Sequence, residues 1–264
     1  MAERQSTGMR NFKLQHGSVK KAIDGGVIKI YSGSQPASPD SPMAGTLLCT
    51  LTAASGARTD ETRAEAQITL GGSSGDISSI EVGASEAAAV EILNETVTFT
   101  TDLTTTAAAV AQSINAKQSV PKYEARSSGA NVIIKAMPRT GTTPNLYSIS
   151  CTVSTMTATV VSFGSNASLQ SGVSQSNGLL WGSVVSGVLY KSSQVWSGVN
   201  VASGTAGCFR ICSTEVDANG TSTTALRIDG SIATSGADVT MLNTSLTSGA
   251  TTTVSSFSVT DPAS

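Results

Sequence analysis

The sequence predicts a mainly β fold: a β-sandwich host domain interrupted by an α+β domain that carries one helix. Three observations lead there. Short runs rich in Val, Ile and Thr recur along most of the 264 residues, separated by Gly, Ser, Asn and Pro turns. One segment alone breaks that rhythm with helical spacing. Two strands near the start are too few for a sheet of their own, so they require partners from the far end of the chain.

The first 24 residues contain Arg4, Arg10, Lys13, Lys20 and Lys21 against Glu3 and Asp24, a local charge of +3 in a chain whose net charge is −2. They read as a basic arm (1–24) that orders on contact with an acidic or groove-like neighbour, with Phe12, Leu14 and Val19 as apolar anchors. The competing reading is a solvated, disordered terminus. The candidate interaction residues are accordingly Arg4, Arg10, Phe12, Lys13, Leu14, Lys20 and Lys21.

A strand is expected over 27–31 and another over 46–51, separated by a loop with Pro36, Pro39 and Pro42, since proline excludes a central strand between them. A cluster of charges from Arg58 to Glu65 marks a change of texture, and the middle domain is set at 53–175. In it, strands over 64–70 and 77–82 flank a Gly71–Gly75 turn, and a strand or hairpin covers 90–100. Leu103, Ala107, Val110, Ala111 and Ile114 then fall on one helical face. Asp102 or Thr104 would cap that helix, which should end near Lys117, before Val120-Pro121. Strands resume over 123–126, 132–136, 147–153 and 158–163. The uncharged stretch 164–178 reads as a linker. The host domain, 25–52 plus 176–264, then closes with strands over 184–190, 195–201, 207–212, 224–228, 239–242 and 251–259. Asn219-Gly220 and Asp229-Gly230 read as hairpin turns.

Chemistry finds little footing. Charged residues make up 13% of the chain and the pI is about 5.4, which offers no electrostatic footprint for nucleic acid. No apolar run approaches the ~18 residues of a membrane span, and the N-terminal residues lack the apolar core of a signal peptide, so a cytosolic origin is expected. His16 is the only histidine, which argues against a nucleophile–histidine constellation. Cys49, Cys151, Cys208 and Cys212 lack zinc-ligand spacing and read as buried thiols, with a bridge from Cys49 to Cys208 or Cys212 left open. Glu91 with Glu95, and Glu215 with Asp217, are carboxylate pairs that nothing distinguishes from solvent-facing acids. No cofactor and no enzymatic activity are expected. A surface so rich in small hydroxyl residues suggests instead that partners cover much of it.

The run Asp24-Gly25-Gly26-Val27-Ile28-Lys29-Ile30-Tyr31-Ser32-Gly33-Ser34-Gln35-Pro36-Ala37, followed by Gly45-Thr46-Leu47-Leu48-Cys49, resembles the opening of small tailed-phage structural proteins. Trp196-Ser197-Gly198, Gly204 to Arg210, Arg227-Ile228-Asp229-Gly230-Ser231 and Ser235-Gly236-Ala237-Asp238 resemble that family's second half. Val97-Thr98-Phe99-Thr100-Thr101 with the Ala-rich helix, Ser127 to Ile134 and Gly141 to Asn145 are similar to a module recurrent in phage tail and adhesion proteins. The resemblance implies a capsid decoration protein or a head-to-tail neck (collar) protein, assembled in the bacterial host cytoplasm. Its partners would be other virion proteins (major capsid, portal or tail) and further copies of itself, without nucleic acid or membrane. A tail or baseplate component, and an enzyme or carbohydrate-binding adhesin, are the alternatives.

Overall fold

The computed structural model of the protein describes residues 3–166 and 168–260. The fold is mainly β, with several antiparallel sheets and, among the described residues, three α-helices. In chain order the first elements are β1 (Arg4–Gln5), α1 (Thr7–His16), α2 (Val19–Ile23), β2 (Val27–Ser32) and β3 (Leu47–Ala53). Next come β4 (Glu65–Gly71), β5 (Asp76–Gly83), β6 (Val90–Glu91), β7 (Val97–Thr98), α3 (Leu103–Ala116), β8 (Tyr123–Ser128), β9 (Asn131–Ala136), β10 (Ser148–Ser154) and β11 (Thr157–Val161). The last are β12 (Trp181–Val185), β13 (Val188–Lys191), β14 (Trp196–Val199), β15 (Gly204–Cys212), β16 (Arg227–Ala233), β17 (Val239–Thr240), β18 (Ser245–Leu246), β19 (Thr251–Val254) and β20 (Ser258–Thr260). The chain divides into two compact units, one built from residues 1–60 with 175–264 and the other from 61–174.

Unit 1 has a nine-stranded sheet ordered β1-β16-β15-β2-β3-β14-β19, with β17 beside β16 and β18 beside β15, and a three-stranded sheet β12-β13-β20. The early strands do take late partners: β2 pairs with β15 and β3 with β14. Trp181, Trp196, Phe209 and Phe257 form an aromatic cluster with centroid separations of 4.9–6.2 Å. These four side chains are buried with Ile28, Ile30 and Leu51, giving the unit its apolar core.

Residues 4–23 are folded into a strand and two helices where a loose basic arm was expected, and the described residues hold three α-helices where one was expected. Strand β1 pairs with β16, the Ser6 hydroxyl caps α1 by accepting the Met9 N–H at 3.1 Å, and Ser18 caps α2 through Lys21 N–H at 3.2 Å. Met9, Phe12, Val19, Ala22 and Ile23 are buried. Each large one contributes about 1.5–3 kcal/mol relative to exposure, which outweighs the attraction of water for the interspersed cations. Gly8 sits so close to the backbone at Thr224 that an added Cβ would lie 2.5 Å from its carbonyl oxygen. Strand β16 is a second correction: Asp229-Gly230 lies in its middle, not in a turn. Gly230 is needed there because a Cβ would meet the Phe209 ring at 2.4 Å.

Unit 2 pairs a sheet ordered β11-β4-β9-β8 with one ordered β10-β5-β6, with β7 also on β5. Helix α3 begins at Asp102, which accepts the Thr105 N–H at 2.7 Å, and lays Ala107, Val110, Ala111 and Ile114 into a core with Ile68, Leu70, Val132 and Ile134. Ala109 is half-buried on the flank of that contact. Asn115 holds the helix end to β8 by donating to the Ala125 carbonyl at 2.8 Å and accepting its N–H at 2.9 Å. Gly72 and Gly75, both at positive φ, make the β4–β5 turn.

Candidate interaction surfaces and the buried ionic cluster

The sequence-predicted interaction residues are brought together on β1, α1 and α2, but most are engaged within the chain. Arg4 donates to the Pro36 and Ala37 carbonyls, both at 3.0 Å. Arg10 is exposed and reaches Thr7 Oγ1 at 3.1 Å. Lys13 is half-buried in the last turn of α1, and Lys21 donates to the His16 carbonyl at 3.4 Å. Lys20 pairs with Asp24 at 3.3 Å and with the Trp181 carbonyl. Phe12 lies 3% exposed with its ring 5.1 Å from His16, so it is core and offers no surface to a partner. Leu14, at 87% exposure, is the apolar side chain of this set that faces solvent.

Sequence reasoning missed the charged centre of unit 1. Strand β15 alternates, sending Phe209 and Ile211 to the aromatic side and Arg210 to the other. Arg210 is wholly buried and binds Asp229 through Nε at 2.8 Å and Nη2 at 2.7 Å. Nη2 also donates to the Ser41 carbonyl at 2.8 Å and the Pro39 carbonyl at 3.2 Å. Arg227, one strand over, binds Asp217 through Nε at 2.8 Å and Nη2 at 2.6 Å, and reaches Pro39 at 3.1 Å and Gly220 at 2.9 Å. Asn219, at φ 57°, accepts from Met43 N–H at 2.8 Å and donates back to the Met43 carbonyl at 3.1 Å. Asp40, from the same proline loop, accepts Thr7 N–H at 2.9 Å and the Thr7 hydroxyl at 2.6 Å. Two guanidinium groups thus fasten the loop 36–43 and the loop 217–220 to the sheet. Carbonyls of a proline-rich segment find few backbone donors, and these cations supply them.

The electrostatics follow from burial and pairing. Burial works against the charge of Asp217, but the Arg227 hydrogen bonds and the Asn219 N–H outweigh it and hold the carboxyl below the usual range. Burial likewise opposes the Arg210 charge, and the Asp229 contacts overcome it, keeping the guanidinium protonated. Asp217 is therefore no solvent-facing acid. Glu91, in unit 2, accepts the Leu93 N–H at 2.7 Å, the Ile80 N–H at 3.0 Å and the Ser79 hydroxyl. All four cysteines are free, and burial pushes Cys49, Cys151 and Cys208 up to about 11, so they stay protonated thiols at neutral pH. Among the described residues no group of three or more His, Cys, Asp or Glu is placed to hold a metal ion, and no helix is long and apolar enough to cross a membrane.

The surface of unit 1 offers two neutral features. A cleft of about 310 Å³ opens beside the aromatic cluster, lined by Ile28, Ile30, Leu51, Phe209, Ile232 and Phe257 and by Thr240, Asn243 and Ser256. The β12–β13 hairpin, turned through Ser186 and Gly187 at positive φ, exposes Val184 by 57% and Val185 by 55%. From Leu180 to Tyr190 the hairpin carries no charged residue. One margin of each other sheet is similar: β19, β10 and β11 are edge strands without a charge or a proline, while the opposite edges β1, β6 and β8 carry Arg4, Glu91, and Glu124 with Arg126. No protein-family model, no curated protein and no solved structure matches the chain.

Proposed function

We propose that the protein is a non-enzymatic structural component of a tailed-bacteriophage particle, acting as a capsid decoration (cement) or neck (collar) protein by binding neighbouring virion proteins and further copies of itself. The observation that supports this best is that each sheet keeps one edge strand without a charged residue (β19, β10, β11 and β12), even though β1, β6 and β8 at the opposite edges carry Arg4, Glu91, and Glu124 with Arg126. Soluble β proteins guard their edges with Lys, Pro or bulges, because an open edge is a template for pairing with another chain. Edges without Lys or Pro, in a chain with only 13% charged residues, suit surfaces that a particle covers, although β12 carries an irregularity between Trp181 and Val184. The buried guanidinium clamps supply a rigid platform beneath, and many copies turn modest contacts into a stable shell. We read unit 2 as a module inserted between the halves of the host unit. Immunogold labelling of intact particles tests the proposal: label over the head or at the neck is expected. Label confined to the tail would favour the baseplate alternative, and particles without label would overturn the virion reading.

A further inference from the structure

Residues 7–23, which form α1 and α2, hold four cations and no acid, whereas residues 64–116 hold seven acids and no Lys, Arg or His. Arg10 and Leu14 stand about one turn apart on α1 and both are exposed, as is Lys21 on α2. Phe12 and His16 take the buried side of α1. Asp24 answers Lys20 at 3.3 Å, and Asp40 uses both carboxylate oxygens on Thr7. The face around Leu14 is therefore basic. The sheet β10-β5-β6 with β7 has the opposite character. Its inner side buries Ile77, Ile80, Val82 and Ile149. Its outer side carries the exposed Ser148, Ser150, Thr152 and Ser154 of β10, with Ser154 in register with Asp76 of β5 and Ser150 with Glu81. Glu91 of β6 lies directly across from Glu81 and is held there by the Ile80 and Leu93 N–H groups. Like charges so placed repel, and none of the four strands supplies a cation. Leu146, two residues before β10, is 81% exposed.

We propose that the acidic outer side of the β10-β5-β6 sheet receives the α1–α2 face of a second copy of the chain. Arg10 and Lys21 of one copy answer Asp76 and Glu81 of the next and relieve the repulsion between Glu81 and Glu91, while Leu14 and Leu146 add apolar area. The serines and threonines between the acids are short, so a helix can approach closely. Because the two faces differ, the contact is heterologous and repeats from copy to copy. Its charges fix orientation, and screening beyond about 8 Å at physiological salt makes it weaken as salt rises. The inference rests on the proposed function only in taking further copies as partners.

Sedimentation velocity on the purified full-length chain reads the contact without particles. The wild type should self-associate at low salt, and raising salt to about 0.5 M should weaken association about tenfold. Arg10→Glu with Lys21→Glu should abolish it, as should Asp76→Lys with Glu81→Lys, with both double variants melting near the wild type. Mixed in equal amounts, the two inactive variants should assemble with each other, because each then offers a face opposite in sign to its partner's. Variants that had merely lost their fold would not be rescued in this way. A wild type that stays monomeric, association that ignores salt and both reversals, or a mixture that fails to assemble would overturn the contact. A monomeric wild type whose particle occupancy is lost on Arg10→Glu with Lys21→Glu would instead assign the basic face to an acidic surface of another virion protein. Immunogold labelling of particles is a separate readout, so failure of the self-contact and failure of the virion reading are told apart.

Discussion

In unit 2, α3 sets Val110 and Ile114 on Ile68, Leu70, Val132 and Ile134, and the central contact is hydrocarbon throughout. In unit 1, one strand carries both kinds of interior: Phe209 packs edge-on against Phe257 at 5.4 Å, while the next residue, Arg210, is buried against Asp229. A hydrocarbon core loses stability in proportion to volume removed and tolerates conservative repacking. A buried ion pair responds differently, because deleting one partner strands the other in a medium that cannot solvate it. The contrast also reaches the surface. The ionic side of unit 1 immobilises two irregular loops through guanidinium groups; in unit 2 the Gly72 to Gly75 turn needs only local backbone geometry, and the buried Glu61 carboxylate holds the loop at Arg139 and Gly141 through their N–H groups.

The largest effect is expected of Asp229→Ala, which leaves the Arg210 guanidinium buried without its carboxylate. Chemical denaturation should show a loss of about 3–5 kcal/mol. A loss under 1 kcal/mol would mean the pair is spectator to the fold. Acid should act on the same face. The depressed Asp217 carboxyl contributes stability that is present above the ordinary carboxylate range and is lost as pH falls through its lowered folded value. Unit 1 should accordingly lose protection before unit 2 in acid hydrogen-exchange series.

Ile114→Asp should cost unit 2 several kcal/mol by burying an unpaired charge, while Gln112→Glu, on the exposed side of the same helix, should stay within about 0.5 kcal/mol by thermal melting. Equal tolerance at both would put the helix in the wrong phase. A smaller effect is expected of Asp102→Ala, which removes the α3 cap and should cost about 1 kcal/mol.

These contrasts explain what the sequence made legible. The class of the fold was readable because alternation and turn residues are local signals, and α3 was readable because its apolar residues keep a helical interval behind Asp102. The N-terminal helices were hidden by the cations interleaved with Met9 and Phe12, although Ser6 and Ser18 were cap signals that could have found them. Asp229-Gly230 read as a turn because that preference is local, and a distant strand overrules it: Arg210 demands the carboxylate and Phe209 demands the glycine. The ionic cluster joins residues 39, 41, 210, 217, 219, 227 and 229, a set that no spacing rule assembles. Of the predicted interaction residues, burial took Phe12 and internal pairing took Arg4 and Lys20, outcomes that depend on partners far along the chain.

Neutral edges and exposed apolar residues are proposed to serve as the binding surface. Loading particles that lack this protein with purified wild-type chain, and with the double variant Val184→Lys and Val185→Lys, measures it directly. Both substitutions fall on exposed hairpin positions, so the melting temperature should hardly move. The wild type is predicted to restore full occupancy on the particles, and the variant, folded but with a charged edge, to lose most of it. Equal occupancy for the two proteins would contradict the claim.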